Sequence, residues 1–399
     1  MPTSVSLLKG EGSGEGDGCE CVRLYCIADL RVGTLASLTY PFTNGGSTHM
    51  VSADNDKLSK LAQVFKRFSE EIFPGSSPLY AALSNAIAED IDVLRIASSA
   101  RGRPVPNLLF AAVHYLLLSG VDGELSAYYL SLTPDPRPNT DAYPHFREFC
   151  LTNESAIRKL LSTRLVQTNE VGRCAYLMPG FSLIADENPN LPLSLVDIGT
   201  SAGLHLLWDR YAYEYAGHPI AGDTSSPVRI MADVRGSSSP PISSRFPPVA
   251  LRIGLDLNPV SLTDPDSALW LRALIWPEHE RRATQLEAAI GLAIDNPPTL
   301  LAGNALATLP DVLDRVPPNS TLCIFHNYTL NQFSLEDRSR FDSMLDDCSM
   351  DRDVHLLAGE GRWGHDYATL ELVSIRGGNR SSRKLANVDF HGRWLEWMA

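Results

Sequence analysis

The texture of the chain changes at Pro192, and that change limits the folds open to it. Downstream, LSLVDI, PVALRIGLDL, TLLAG, TLCIFH, VHLLAG and TLELVSI read as strands. Helix-length segments separate several of them, among them DSALWLRALIWPEHERRATQLEAAIGLAI and SLEDRSRFDSMLDD. Strand–helix alternation predicts a mostly parallel sheet covered on both faces, with right-handed crossovers. Residues 212–248 break the rhythm with Gly, Pro and Ser clusters and are expected to loop out of the sheet as a hairpin plus loop. Tyr211, Tyr213 and Tyr215 alternate, as in a strand with one aromatic face.

Upstream the periodicity is helical. SPLYAALSNAIAEDIDVLRIA places Leu83, Ile87, Ile91 and Leu94 on one face. NLLFAAVHYLLL is apolar nearly all round, which predicts a buried helix. ESAIRKLLSTRL and TNEVGRCAYLM read as two more. The expected organisation is a flexible tail over 1–50, a helical domain or lid over 51–190, and a sheet domain over 191–399 with its insertion at 212–248.

The bulk properties exclude some functions. A net charge of −13 argues against a dedicated nucleic-acid binder, because phosphate contacts need a Lys/Arg surface. The first twenty residues hold no sustained apolar run, so no secretory signal is expected. The longest apolar run, Leu108 to Leu118, is too short to span a bilayer. Seven scattered cysteines suit a reducing, cytoplasmic setting. Cys19, Cys21 and Cys26 lack the partner cluster a metal site needs and read as free thiols; no metal is expected.

Ligands of open α/β sheets bind at the carboxyl ends of strands, and four such ends carry chemistry. The first is Asp197-Ile198-Gly199-Thr200-Ser201-Ala202-Gly203, where glycines permit a tight turn and close ligand approach. A helix is expected to follow, its N-terminus offering N–H groups. The second, Asp256-Leu257, presents an acid able to accept both hydroxyls of a ribose; the plainer role is a turn cap. The third is Gly303-Asn304-Ala305, whose amide would meet a purine edge or merely sit in a turn. The fourth is His326-Asn327-Tyr328, where His326 would serve as a general base at neutral pH and Asn327 would orient a substrate, or both would satisfy loop backbone. Ahead of the sheet, TRLVQTNEVGR is unusually polar for a helix junction. Thr168 or Asn169 would cap the next helix, and Gln167, Asn169, Glu170 and Arg173 would line a pocket over the cofactor.

From Asp197 onward the chain resembles the class I S-adenosylmethionine-dependent methyltransferases, through the Asp197/Gly199/Gly203 loop, the Asp256 strand end and the Gly303-Asn304-Ala305 turn. From about Ser76 it is also similar to an uncharacterised bacterial domain-of-unknown-function family of the DUF2332 type, through SPLYAAL, TRLVQTNEVGRCAYL, IGTSAGLHLLWDRYAYEY, WLRALIWPE and HGRWLEW among others. The resemblance implies a Rossmann-like sheet with an antiparallel C-terminal hairpin, preceded by helices. It implies S-adenosylmethionine held by Asp197, Gly199, Thr200, Ser201, Gly203, Asp256, Leu257, Asn304 and Ala305. Gln167, Asn169, Arg173 and Asn327 would then bind a small-molecule substrate, with His326, Glu170 and Tyr328 as catalytic groups. No nucleic acid and no membrane are expected as partners, and a homodimer is the assembly to test. Three departures from the methyltransferase pattern stand out: Ser201 replaces a loop glycine, Asn304 replaces a frequent Asp, and 59 positions separate Asp197 from Asp256 against about 20 in related folds.

GTSAG also matches the nucleophile elbow of serine hydrolases. That reading needs a His and an acid, for which Asp347 or Asp351 followed by His365 have the right chain order. It lacks an HGGG-type oxyanion sequence, and GTSAG follows the first strand of the sheet, where a cofactor loop belongs. A non-catalytic binding protein on the same fold is the remaining alternative.

Overall fold

The computed structural model describes residues 48–399 apart from 168, 243–245 and 362–364, with side chains from residue 55. The tail expected over 1–50, with Cys19, Cys21 and Cys26, therefore lies outside the described residues, save for the first turn of a helix beginning at Thr48.

The chain begins with helices: α1 (Thr48–Arg67), α2 (Pro78–Ile87), α3 (Ile91–Ala97), α4 (Val105–Leu118), α5 (Ala142–Thr152), α6 (Glu154–Thr163) and α7 (Cys174–Glu187). The apolar run of α4 is buried on nearly every side, as its composition predicts. The amphipathic stretch around Ile87 is two helices rather than one. The Asp90 carboxylate accepts from the backbone N–H groups of Asp92 and Val93 and starts a new helix. That reset turns Ile91 outward to 45 % exposure, while Leu83, Ile87 and Leu94 stay buried.

Among the described residues eleven strands form one mixed sheet. They are β1 (Leu193–Ile198), β2 (Ala212–Tyr215), β3 (Ala221–Gly222), β4 (Arg229–Arg235), β5 (Val249–Asp256), β6 (Thr299–Ala302), β7 (Thr321–Asn327), β8 (Val354–Gly361), β9 (Ala368–Arg376), β10 (Asn379–Val388) and β11 (Trp394–Trp397). The order is β3-β2-β4-β11-β10-β9-β8-β7-β1-β5-β6. The five strands β6, β5, β1, β7 and β8 are mutually parallel. Among these five, the order in the chain runs from β1 to one side, through β5 and β6, and then to the other, through β7 and β8. β1 is thus the switch point of the parallel part, where such sheets open a crevice. The helices α8 (Pro265–Ala273), α9 (Glu280–Asp295), α10 (Ala305–Leu313) and α11 (Leu335–Cys348) lie between the later strands.

Side-chain alternation divides the core. Leu195, Phe325 and Leu357 join one large cluster with α1–α9, so the helical region and the sheet share a hydrophobic core. Val196, Ile198 and Ile324 face the other way, against α10 and α11.

Two expectations about 199–248 are corrected. The segment after the glycine loop is a seven-residue 3₁₀ turn, Leu204–Arg210, rather than an α-helix. Its carbonyls are diverted: Tyr211 Oη donates to Leu204 O at 2.7 Å and Tyr213 Oη to Trp208 O at 2.6 Å. Leu204 to Trp208 are all buried, so the segment has no polar face to offer solvent. Residues 212–248, in turn, do not loop out of the sheet. They supply β2, β3 and β4, and β4 pairs in parallel with β11 at the end of the chain. Tyr213 and Tyr215 stack at 6.3 Å within β2, the expected aromatic face.

Candidate functional site

The glycine loop hangs between β1 and β5. Gly199 N–H and Thr200 N–H both donate to Leu255 O, at 2.8 and 3.2 Å. Gly199 has φ +79°, and a Cβ there would meet Thr329 Oγ1 at 2.2 Å, so only glycine fits. Ser201 also adopts a left-handed conformation, φ +52°. Asp256 holds the turn together: its Oδ2 accepts from Ser201 N–H and its Oδ1 from Asn258 N–H, each at 2.8 Å. The turn-cap role foreseen for Asp256 is therefore real. A carboxylate has about four acceptor positions, so two remain for a ligand. Asn304 likewise caps α10, its Oδ1 accepting from Leu306 N–H at 2.9 Å.

These strand ends border a cavity of about 620 Å³. Gly199, Ser201, Asp256, Leu257, Asn304 and Ala305 line its sheet side, and Leu257 stands 69 % exposed at the rim. Gln167, Asn169, Glu170, Arg173, Asn327 and Tyr328 line it as well. Thr168 lies outside the described residues, and the cap ahead of α7 comes from Glu170, whose Oε1 accepts from Gly172 N–H at 3.3 Å.

Four residues named from the sequence do not line the cavity: Asp197, Thr200, Gly203 and His326. Gly203 (φ +76°) packs against Pro298 and Leu300. The Thr200 side chain sits over Gly254 of β5, where a Cβ would approach it to 2.5 Å. Asp197 is fully buried on the α7 face of β1; burial pushes its carboxyl up to about 7, and its Oδ2 has no partner. His326 falls on the opposite face of β7 from Asn327, because side chains alternate along a strand. Its Nδ1 donates to Glu360 Oε1 at 2.8 Å, and the same oxygen accepts from Thr329 N–H and Leu330 N–H. His326 thus fixes the loop after β7 and stands outside the cavity wall, so the role of base does not suit its position.

Sequence reading missed much of the facing wall. Arg282 Nε lies 2.6 Å from Glu170 Oε2, closing an ion pair around a carboxylate that is only 4 % exposed. Arg282 Nη1 donates to His279 Nδ1 at 2.9 Å. That leaves His279 neutral, in line with burial and the Arg282 charge lowering it to about 3. Burial and neighbouring Arg282 and Arg173 likewise hold His391 uncharged. Leu271, Leu274, Ile275, Trp276 and Leu286 make this end apolar. The turn near the C-terminus contributes Phe390 and His391 to the wall. Gly172 and Gly392 meet back to back there; a Cβ on Gly392 would reach Gly172 O at 1.9 Å. The motifs WPEH and HGRW were visible in the sequence, but nothing in their spacing ties them to the loop at 199–203.

Asp209 pairs with β5 rather than with its neighbour Arg210. Asp209 takes Arg252 of β5 in a two-pronged pair, both contacts 2.7 Å, with Arg210 4.0 Å away.

The family model described as "Uncharacterized protein conserved in bacteria (DUF2332)" matches residues 62–397. The chain belongs to this family. The match takes in both the helices and the sheet, so the DUF2332 unit contains the whole cavity, including the turn at 389–393. The chain matches no curated protein and no solved structure. Among the described residues no helix is long and apolar enough to cross a membrane.

Proposed function

We propose that this DUF2332 protein is an S-adenosylmethionine-dependent methyltransferase acting on a small molecule, on a Rossmann-like sheet of the class I kind. One observation carries the reading. Three successive strand ends of the parallel sheet, those of β1, β5 and β6, border one cavity in the order that a nucleoside-bearing cofactor needs. The left-handed glycine loop, the Asp256 carboxylate and the exposed Leu257 side chain lie on its sheet side.

The residues present fit the group. Asp256 is anchored by two backbone N–H donors and keeps acceptor positions for vicinal hydroxyls. Ser201 Oγ and Asn327 Nδ2 are buried in the wall without partners, as polar atoms awaiting a ligand are. When bound, the cofactor supplies an electrophilic methyl group on a sulfonium centre. The chain supplies position and a dry cavity, and orientation of two reactants is worth several kcal/mol of barrier. Glu170 and Tyr328 line the cavity; Glu170 is the group able to accept a substrate proton, and Tyr328, whose phenol burial keeps protonated, can orient a substrate by donating. Glu170 would do so only by loosening its bond to Arg282.

The hydrolase alternative gains a left-handed Ser201 but loses its base. Ser201 Oγ has no hydrogen-bond partner, and His365, the base that reading needs, is exposed against the Tyr367 ring and does not line the cavity. The test is thermal unfolding with S-adenosylhomocysteine, alongside labelling by a serine-reactive fluorophosphonate. Ligand at a hundred times its Kd stabilises by about 2.7 kcal/mol, a shift of several degrees. A shift with Ser201 unlabelled supports the methyltransferase; no shift with Ser201 labelled sinks it.

A further inference from the structure

Arg173 brings to the cavity wall a guanidinium that makes no salt bridge among the described residues. Arg173 ends the short helical turn Val171–Arg173 ahead of α7. Its Nε donates to Phe390 O at 3.0 Å, and its guanidinium carbon lies 4.3 Å from the centre of the Tyr328 ring. Those two contacts fix the plane of the group. Among the described residues no carboxylate pairs with it, although acids stand nearby. Glu170 is taken by Arg282 at 2.6 Å and Asp389 by Arg393 at 2.9 Å, and the buried Asp197 senses the Arg173 charge without forming a salt bridge to it.

Two side-chain amides that offer NH₂ groups line the same cavity. Tyr176 Oη donates to Asn327 Oδ1 at 3.1 Å, which assigns the other end of that amide as NH₂, and Asn327 Nδ2 has no partner although the residue is only 8 % exposed. Asn169 Nδ2 is buried and unpartnered too. A planar guanidinium and two amide NH₂ groups, with no acceptor among them, call for a planar acceptor-only group. A single guanidinium, in a wall that also carries the Glu170, Asp256 and Asp337 carboxylates, suits a monoanion better than a phosphate dianion.

We propose that Arg173, Asn327 and Asn169 form a carboxylate-binding subsite. The subsite rests on the cavity itself; only the identity of the molecule carrying the carboxylate depends on the methyltransferase reading. Two carriers share this chemistry: the amino-acid end of the cofactor, and a substrate acid whose body lies along Tyr328 and Phe390.

Calorimetric titration of the full-length protein and of Arg173→Gln and Arg173→Lys separates them. The probes are S-adenosylhomocysteine, 5′-methylthioadenosine, which lacks the amino-acid end, and phenylacetate against phenylacetamide. If the cofactor carries the carboxylate, wild type binds S-adenosylhomocysteine at least tenfold more tightly than methylthioadenosine. Arg173→Gln then brings the two to parity, and Arg173→Lys recovers part of the difference. If the substrate carries it, the two nucleosides bind alike in all three proteins. Phenylacetate, but not phenylacetamide, then binds wild type and loses at least tenfold in Arg173→Gln. Should neither nucleoside bind wild type, the methyltransferase reading fails while the phenylacetate arm still decides the subsite. Should Arg173→Gln not fold, the acid–amide and nucleoside comparisons in wild type decide alone. The proposal is overturned if wild type favours neither acid over its uncharged counterpart, or if Arg173→Gln binds every probe as wild type does.

Discussion

On the sheet side of the cavity, polar groups are held by backbone: Asp256 by two N–H donors, Asn304 by the first turn of α10, the glycine loop by Leu255 O. On the facing side they are held by other side chains: Glu170 by Arg282, His279 by Arg282, Arg173 by the Tyr328 ring. Backbone tethers fix geometry without rotamer freedom on the donor side. The Glu170–Arg282 and Arg173–Tyr328 contacts join residues more than a hundred positions apart, and each carries charge. The sheet side is thus suited to a part of the ligand that never changes, and the facing side to recognition of charge and shape.

Substitution should separate the two walls sharply. Gly199→Ala forces a side chain into a left-handed position and onto Thr329 Oγ1, and should cost about 3 kcal/mol of stability by denaturant unfolding. Adding Thr329→Ala should return part of it; full additivity would mean the collision is not the cause. Asp256→Ala should weaken S-adenosylhomocysteine binding at least about a hundredfold, or roughly 2.7 kcal/mol. An unchanged affinity would remove the carboxylate from the site. On the facing wall, Arg282→Met strands the buried Glu170 charge and should lower stability by about 2 kcal/mol, less than a fully buried pair because Arg282 is 22 % exposed. The double variant with Glu170→Gln should recover most of that loss.

Protonation offers a subtler probe. Asp197 is held up to about 7 by burial, so between its unfolded value near 4 and about pH 7 the folded state binds more protons than the unfolded one. Stability should therefore rise as pH falls from 7 to 6, by about 1 kcal/mol, and Asp197→Asn should flatten that slope in pH-dependent thermal unfolding. The smallest effect belongs to Ser201→Gly. Glycine accepts φ +52° freely and Ser201 Oγ bonds nothing, so stability should stay within about 1 kcal/mol of wild type. A collapse of binding there would restore Ser201 to a chemical role.

The same contrast explains what was legible in the sequence. β1, β5, β6, β7, β8 and β9 announce themselves as apolar runs, and the glycine loop and Asp256 sit at the ends of two of them, so the sheet-side wall can be located from spacing alone. His326 was misplaced because alternation along β7 decides its face, and only the register Ile198↔His326 settles which face meets α10 and α11. β4 was missed because its residues alternate between exposed and buried while pairing with a strand more than 150 positions away. The 3₁₀ turn was taken for a helix because Leu204–Trp208 are good helix formers, and the tyrosine hydroxyls that capture their carbonyls follow from tertiary structure. Arg282 and His391 carry no local signature, since what makes them part of the site is what they touch.

The back-to-back glycines at 172 and 392 have a consequence for biosynthesis. A growing chain exposes the glycine loop and most of the sheet long before Phe390 and His391 leave the ribosome. Until then one flank of the cavity is open, Arg173 lacks the Phe390 carbonyl that orients it, and β4 lacks its β11 neighbour. Ligand therefore cannot be captured in its final geometry by a nascent chain.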